Sequence, residues 1–444
     1  FDVIVLGTGI VESVAAAALA KAGFKIAHLD INGYYGGDQA SLTGDELVTW
    51  ADARSVFEPD FTPYIAAQRA QFASIVRSTN PLAHSRHFSF SLLPALIPAV
   101  GPFISSLIAS GVAKYGSYRV LERVAVFDES TQQLRSVPTS KEDIFKSTEL
   151  SLVDKRRLMR LLSFAAGEFE NKSELVGKEQ QPFVNFLISE FKLNSKIAYA
   201  ITYATAFCSS ADEPTVSALS RLRTFLRSSG RYGASPFLVG HYGGLGEIAQ
   251  GFCRAAAISG AVYILGQSTL PAYPPSLENG NKYSFQIENV PEPLTADIVL
   301  SAQDVLPQSL AKARGPTLDE CGSSVACGIV VLNRPPPFPP TLSPASGERD
   351  QTEDQEGLSS GIVDTAVVVF PPSTVSGGST TAAAHALITG QGTMSAPVGK
   401  YVLYFSLPVD RRADAKTALM PYLDAFVACY PNNSRPTSEF EVFY

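Results

Sequence analysis

The N-terminal stretch FDVIVLGTGIVESVAAAALAKAGFKIAHLDINGYYGG, residues 1–37, contains the local signals that decide the fold. Residues 2–6 form a continuous β-rich run of strand length, and a glycine-containing turn follows it. Residues 11–22 are rich in alanine and predict a helix, and residues 25–30 predict a second strand. A strand, a helix and a second strand in this order predict a βαβ unit with a parallel sheet.

The turn between the first strand and the helix matches a dinucleotide-binding turn at two of its three glycine positions. Gly7 fits the tight bend, Gly9 fits the close approach of a pyrophosphate, and Asp30 stands where an acidic residue binds ribose. Glu12 occupies the third position and places a carboxylate where phosphates would approach the helix N-terminus. We expect Glu12 to cap its own helix in place of a phosphate, which would make the cofactor site vestigial. On this pattern alone, a flavin or nicotinamide enzyme stays open as the alternative.

The composition describes a globular protein with an acidic balance. The chain has 444 residues, of which 45% are hydrophobic, so it can form two or three domains with real cores. Its net charge is −7 and its sequence pI is about 5.4. No window gathers the lysines and arginines that would neutralise a phosphate backbone, so we expect no nucleic acid partner.

The cysteines and the longest uncharged segment exclude two further classes. Five cysteines are scattered without a CxxC pair or a nearby histidine at ligand spacing, which predicts reduced thiols in the cytosol and no metal site. Residues 88–113 carry no charge over a length that could span a bilayer. Pro94, Pro98 and Pro102 interrupt this segment, so we predict a buried strand and loop that lead into an amphipathic helix.

Changes in pattern along the chain divide it into a discontinuous α/β domain and a helical insertion. Residues 118–127 and 134–137 predict a hairpin, and residues 139–226 have helical periodicity with many apolar side chains. Strand signals return afterwards and continue to the final SEFEVFY, whereas residues 342–361 are polar and predict a mobile loop. We therefore predict an α/β domain of residues 1–138 and 227–444, with a small all-α domain of residues 139–226 inserted into it.

Two S-x-x-D patterns mark predicted helix starts in the helical insertion. Ser140 is followed by Asp143, and Ser151 is followed by Asp154. In such a pattern the hydroxyl accepts an early backbone N–H and the carboxylate faces the positive end of the helix. We expect a short helix followed by a long one.

Two blocks of sequence closely resemble the Rab GDP-dissociation inhibitor and Rab escort protein superfamily. The first is DVIVLGTGIVES with the later HLDINGYYGG, and the second is RYGASPFLVGHYGGLGEIAQGFCRAAAISGAVYIL at residues 231–265. The resemblance implies a flavoprotein-like domain, of the FAD/NAD(P)-binding Rossmann-like type with mixed sheets. It also implies that the domain has lost its cofactor and binds GDP-loaded Rab GTPases.

The resemblance implies two groups of Rab-binding residues. Tyr35, Glu247 and Arg254 would form a binding platform, and residues Arg231, Ser235 and Phe237 would grip the C-terminal segment of the GTPase. Glu247 and Arg254 are seven positions apart on a predicted helix and therefore share a face. Without the resemblance, Glu247 and Arg254 would be interpreted as a pair of solvated charges. Phe237 could equally be an ordinary aromatic residue of the core.

Inhibitors and escort proteins share these features, so other residues must separate them. In DIFKSTELSLVDKRRLMRLL, Phe145 and Arg156 match the contact of escort proteins with Rab geranylgeranyltransferase. The inhibitors resemble this stretch in KRR but lack the aromatic residue. An aromatic side chain beside an arginine is also typical of an interface hot spot. The competing interpretation is that Phe145 is buried in its own helix and Arg156 is merely solvated.

The resemblance favours an escort protein, a non-catalytic subunit that presents newly made Rab proteins to the transferase α/β heterodimer. Because an exposed geranylgeranyl chain is costly in water, the prenylated product would need shelter before its transient delivery to membranes. The apolar residues 183–191 and 197–207 are the candidates for that shelter, or they are simply the core of a small domain. We expect a cytosolic protein with no bound cofactor, and a GDP-dissociation inhibitor is the alternative.

Overall fold

The computed structural model describes residues 1–55, 69, 71–137, 150–267, 270–277, 280–288, 290–302, 305–310, 324–338, 362–410 and 413–444. In these residues the α-helices are α1 (Ile10–Lys21), α2 (Gly44–Ser55), α3 (Pro102–Ser110), α4 (Leu152–Ala166), α5 (Phe183–Phe191), α6 (Ser195–Ala200), α7 (Thr215–Ser228), α8 (Leu245–Ile258) and α9 (Ala415–Ala428). The strands are β1 (Val3–Leu6), β2 (Ile26–Leu29), β3 (Ser41–Leu42), β4 (Val76–Arg77), β5 (Phe90–Ser91), β6 (Ile97–Pro98), β7 (Tyr118–Val120), β8 (Arg123–Asp128), β9 (Gln133–Ser136), β10 (Phe237–Gly240), β11 (Val262–Ile264), β12 (Ala272–Tyr273), β13 (Tyr283–Phe285), β14 (Leu294–Ala296), β15 (Ile298–Ser301), β16 (Ser324–Leu332), β17 (Ala366–Phe370), β18 (Ala384–Thr389), β19 (Tyr401–Val409) and β20 (Ser438–Phe443).

A parallel sheet forms around the N-terminal strand in the order β11-β2-β1-β15. All four residues of β1 are buried, because one face of the sheet packs on α1 and α8 and the other on the β12-β13-β14 sheet. Burial on both faces explains why the strand is a continuous apolar run without alternation. The predicted βαβ unit is confirmed, with a helix that begins at Ile10 and ends at Lys21.

A larger mixed sheet has the strand order β4-β20-β16-β19-β18-β17-β8-β9. The pair β17 and β8 is parallel, and the other neighbouring pairs are antiparallel. The C-terminal segment SEFEVFY forms β20 and pairs with β16, as its pattern predicts. Helix α9 packs against one face of this sheet, and the helical region packs against the other.

The predicted hairpin is only partly correct. β8 and β9 form the antiparallel pair, but β7 leaves this sheet and pairs with β10 in the smaller β6-β10-β7 sheet. The change of sheet occurs at Glu122, whose side chain accepts the Asp364 N–H at 2.8 Å. Its own backbone N–H donates to Thr365 Oγ1 at 3.1 Å. These contacts with the start of β17 anchor the bend, and nothing local in the sequence signals them.

Helices α4 to α7 form the predicted helical region. Ser151 accepts the Asp154 N–H at 3.1 Å and caps α4, as predicted, whereas Ser140 and Asp143 lie outside the described residues. The apolar run at residues 197–207 is not one regular helix, because α6 is followed by a π-helix at Ile201–Thr205. Helix α7 continues to Ser228, and the domain boundaries given above remain a prediction.

The uncharged segment at residues 88–113 forms β5, β6 and α3, in agreement with the predicted strand, loop and helix. Across the described residues, no helix is long and apolar enough to cross a membrane. In the same part of the chain, no group of three or more His, Cys, Asp or Glu side chains could hold a metal ion. The predicted polar loop at residues 342–361 lies outside the described residues.

Candidate functional site

The glycine turn after β1 has the geometry that its sequence predicts. Gly7 has a φ of +86°, which lies in the left-handed region that favours glycine, and Gly9 is the N-cap of α1. The Gly7 carbonyl accepts a hydrogen bond from Nε2 of buried His28 at 2.5 Å. Burial lowers the pKa of His28 to about 4, so the imidazole is neutral and holds the turn as a donor.

Glu12 covers this turn from the first helical turn of α1. A Cβ built on Gly9 would lie 2.6 Å from Glu12 Oε2 and 3.1 Å from Gln39 Oε1. Gln39 also accepts the Ile10 N–H at 3.1 Å and so satisfies one of the free donors at the helix start. The Glu12 carboxylate therefore lies close to the helix N-terminus, and Gln39, from the segment after YYGG, approaches the same space.

Asp30 is engaged within the chain. Its Oδ2 accepts the backbone N–H of Thr8 at 2.7 Å and the Thr8 hydroxyl at 2.5 Å. Its Oδ1 accepts the Asn32 N–H at 2.8 Å. Burial raises the pKa of Asp30, although these hydrogen bonds oppose the shift. A dinucleotide at this turn would compete with Glu12 and Gln39 for the helix N-terminus, and with Thr8 and Asn32 for the Asp30 carboxylate.

Two close glycine contacts bring Tyr35 and Glu247 to the same surface. A Cβ on Gly36 would lie 3.3 Å from Gly246 Cα, and a Cβ on Gly246 would lie 2.5 Å from the Ser41 nitrogen. The backbone after Tyr35 therefore packs directly on the first turn of α8, which carries Glu247. Glycine at both positions permits this approach, because a side chain would force the two segments apart.

Glu247 lies in a groove of about 720 Å³ and is partly buried. Burial raises the pKa of its carboxyl group, and none of the described side chains forms an ion pair or hydrogen bond with it. The other groove residues include Arg86, Tyr242, Met394 and Val398. Val398 is 83% exposed. The sequence analysis missed these residues, because they come from distant segments that only the tertiary fold brings together.

Arg254 lies two turns further along α8 and is exposed. Its guanidinium carbon lies 4.8 Å from the centroid of the Tyr115 ring, a cation–π contact that orients the side chain. The Tyr35 ring meets Tyr263 edge-on with centroids 5.9 Å apart. Tyr35 and Arg254 are therefore each held by a ring contact, whereas Glu247 has no such contact among the described side chains.

The residues predicted to grip a C-terminal segment are mostly not on the surface. Arg231 is exposed and lies over the ring of Tyr232, but Ser235 and Phe237 are buried. The Phe237 ring packs edge-on against Phe225, with centroids 5.7 Å apart. For Phe237 the structure thus favours the core aromatic over the binding residue, because these contacts remove its ring from solvent.

Only one of the two residues predicted to contact the transferase lies in the described part of the chain. Phe145 lies outside the described residues, whereas Arg156 is exposed on α4 and has no ion pair or hydrogen bond within the described part of the chain. Leu152, one turn earlier, is 85% exposed, and Val153 is 58% exposed. This apolar pair beside Arg156 is a further surface feature that the sequence analysis did not identify. The two side chains add exposed apolar surface beside Arg156.

The apolar helices that were candidates for a lipid shelter are closely packed. Phe183, Phe186 and Phe191 are each at most 2% exposed. The ring of Phe191 lies 5.8 Å from Phe186 and 5.3 Å from Phe164. In this conformation the aromatic side chains form a filled core.

Comparison with known proteins identifies relatives that match more than half of the chain. A sequence profile described as GDI, GDP dissociation inhibitor, matches residues 1–274. The chain is similar to Rab proteins geranylgeranyltransferase component A of Candida albicans, with 34% identity over 60% of this chain and 40% of the relative. A protein of the same name from Drosophila melanogaster is 31% identical over 70% of this chain and 60% of the relative. The chain thus spans about half the length of these curated relatives.

Longer but more distant likenesses cover the whole chain. Rab escort protein 1 of Arabidopsis thaliana is 26% identical over 99% of this chain and 82% of its own length. The solved Rab GDI of Plasmodium falciparum superimposes with a TM-score of 0.66 at 19% identity, covering 100% of this chain and 89% of the other. An oxidoreductase of Methanosarcina mazei has a TM-score of 0.56 at 15% identity, covering 100% and 88%. These superpositions confirm the predicted mixed α/β, flavoprotein-like fold.

Proposed function

The chain belongs to the GDP dissociation inhibitor family, and from this premise we propose that it is a Rab escort protein. In this proposal it binds newly made Rab GTPases in their GDP form and presents them to the Rab geranylgeranyltransferase heterodimer. It then shields the prenylated product until its transient delivery to membranes. The protein acts as a non-catalytic subunit in the cytosol.

The proposal rests on Glu247, whose carboxyl group is partly buried in the groove and has no partner among the described residues. A partly buried carboxylate costs folding free energy when it is ionised, unless a cation or donor compensates it. None of the described residues supplies such a partner, whereas the groove around Glu247 is open to one. A basic side chain of a bound GTPase would provide it, with Tyr35 and Arg254 on the same surface.

The proposal also includes the loss of the dinucleotide cofactor. Glu12 and Gln39 cover the N-terminus of α1, and Thr8 and Asn32 engage Asp30. These contacts support a vestigial site, in which side chains take the roles that phosphate and ribose have in an enzyme. Purified protein with a stoichiometric flavin absorbance would contradict this part of the proposal and favour an oxidoreductase.

The choice of escort protein over inhibitor is supported by the surface around Arg156. The exposed Leu152 and Val153 combine apolar area with Arg156, a cation without an ion pair among the described residues, which suits a protein interface. Phe145, which precedes this helix in the sequence, would complete the contact. The names of the curated relatives point in the same direction, since they describe a component of a geranylgeranyltransferase.

A pull-down with the transferase heterodimer tests the proposal, with and without GDP-loaded Rab. We expect the wild-type chain to retain the transferase, and we expect Arg156→Ala and Phe145→Ala to lose most of this binding. Lys172→Ala is the matched control, because Lys172 is an exposed cation of the same helical region. If the wild type binds Rab but not the transferase, the chain is an inhibitor that recycles prenylated Rab proteins. If it binds neither, the proposed function is wrong.

A further inference from the structure

The groove around Glu247 has one wall that the proposed Rab-binding platform does not include. This wall is the β18–β19 loop, residues 390–400, from which Met394 and Val398 line the groove. Both side chains are exposed, and so is that of Tyr242, which lines the groove from the turn before α8. Three large apolar or aromatic side chains therefore meet solvent at this one groove.

A buried carboxylate fixes the start of the β18–β19 loop. Asp364 is 8% exposed, and its Oδ2 accepts the Gly392 N–H at 3.0 Å. A Cβ on Gly392 would lie 2.7 Å from the same oxygen and 2.8 Å from the guanidinium carbon of Arg119, so the loop backbone lies directly on these two side chains. Arg119 in turn pairs with Glu122 at 2.7 Å. A loop that is anchored in this way loses little conformational freedom when a partner binds to it.

Two backbone hydrogen bonds join the loop to other walls of the groove. The Tyr242 N–H donates to the Thr393 carbonyl at 3.0 Å, and the Ser89 N–H donates to the Ser395 carbonyl at 3.0 Å. The first bond brings together Tyr242 and Met394, which have φ values of +52° and +54°. Such values are uncommon for large side chains, and residues held in this strained conformation cluster at ligand-binding and active sites. The strained pair therefore indicates a binding role for this side of the groove.

The groove also contains two charges of opposite sign that do not pair with each other. Glu247 is partly buried in it, and Arg86 lines it and is exposed. Neither side chain forms an ion pair or hydrogen bond within the described part of the chain. A protein segment with one basic and one acidic side chain would complement both charges, whereas a hydrocarbon or a single inorganic ion would not.

We propose that the β18–β19 loop is a second contact surface for the Rab GTPase, next to the Rab-binding platform. In this arrangement, Met394 and Val398 cover an apolar side chain of the GTPase. Glu247 pairs with a basic side chain of the same segment, and Arg86 pairs with an acidic one. The inference rests on the proposed function, because the loop continues the surface that carries Glu247. Apolar contacts give such an interface its buried area, and the paired charges give it specificity.

Titration of the purified full chain with unprenylated, GDP-loaded Rab tests the inference. Val398→Asp places a charge against the apolar side chain, and Arg86→Glu repels the acidic one, so each should weaken binding by at least about tenfold. Both side chains are exposed, so both variants should keep the wild-type Tm. Val176→Asp is the matched control, because Val176 is an exposed valine of the helical region outside the groove. It should bind Rab as tightly as the wild type.

Hydrogen exchange of the wild-type chain gives a second measurement that needs no variant. We expect the backbone amides of residues 391–398 to exchange more slowly when Rab is bound. The inference alone is wrong if the wild type binds Rab without a change in this exchange, or if both folded variants bind Rab as tightly as the wild type. If the wild type does not bind Rab, the proposed function is wrong and the inference is wrong with it.

Discussion

The Glu12 carboxylate folds back over Gly9, so that its Oε2 would lie only 2.6 Å from a Cβ at that position. The two residues belong to one motif, in which the glycine permits a close approach and the glutamate now makes it. Glycine at position 9 therefore still permits close packing, but the group that packs against it is the Glu12 side chain of the same protein. A side chain at position 9 should therefore lower the free energy of unfolding.

Gly9→Ala should destabilise the protein by about 1–2 kcal/mol, because Glu12 must move to admit the new methyl group. In a Glu12→Ala background the same substitution should cost less, by about 0.5–1 kcal/mol, since the main clash has gone. Urea unfolding of the four proteins in this double-mutant cycle measures the difference. Additive effects would show that Glu12 does not occupy the space over Gly9.

Glu247→Gln should weaken binding to a GDP-loaded Rab by about tenfold or more, because the partner loses its anionic contact. The same substitution should leave stability at pH 7 unchanged or slightly higher. Burial raises the pKa of Glu247, so its ionised form opposes folding, and the neutral amide removes this cost. The gain should disappear at acidic pH, where the carboxyl group is protonated.

Binding assays and unfolding curves on the same samples test both effects of Glu247→Gln. Gln250→Ala is the control, because Gln250 is an exposed residue of the same helix. A loss of Rab binding together with a loss of stability would indicate a structural role for Glu247. Unchanged Rab binding would show that Glu247 is not part of the Rab-binding platform.

His28 should make the protein less stable as the pH falls from about 6.5 towards 4. Its pKa is lowered to about 4 in the folded state and is near 6.5 when exposed, so the unfolded state binds the extra proton between these values. The free energy of unfolding should fall by up to about 1.4 kcal/mol per pH unit from this residue. Denaturant unfolding across this range should give a shallower slope for His28→Gln than for the wild type. Parallel pH profiles for the two proteins would show that His28 does not cause the loss of stability at low pH.

Ser151→Ala should destabilise the protein by about 1 kcal/mol, because the Asp154 N–H loses its acceptor at the start of α4. Ser163→Ala is a matched control, since Ser163 is exposed in the interior of the same helix. There alanine is the better helix former and should be neutral or slightly stabilising. Thermal unfolding compares the two variants, and equal Tm values would show that the cap does not contribute.

Local sequence patterns were sufficient for several elements. The continuous apolar run at β1, the alanine-rich α1 and the Ser151 cap depend on interactions within a few residues, so the sequence alone predicts them. The position of the Glu12 carboxylate at its own helix N-terminus is of the same kind. Helix propensity, the Ser151 cap and the charge near the N-terminus of α1 act within a few residues, and an apolar run of strand length is itself a local pattern.

Features that the sequence mispredicted or left open depend on partners distant in the chain. β7 leaves the expected hairpin because Glu122 bonds with Asp364 and Thr365, more than 240 positions later. Phe237 becomes a core residue because Phe225 and Phe207 pack around its ring.

The sequence by itself determined the βαβ unit, the incomplete glycine motif and the family likeness, because each is encoded by adjacent residues. Only the tertiary structure decided that Glu247 lies in a groove with Arg86 and Met394, and that the β18–β19 loop forms one wall of this groove. Burial and the contacts between distant segments exist only once the chain has folded. They set the pKa of a carboxyl group and the shape of a binding surface, and residue order alone does not specify them.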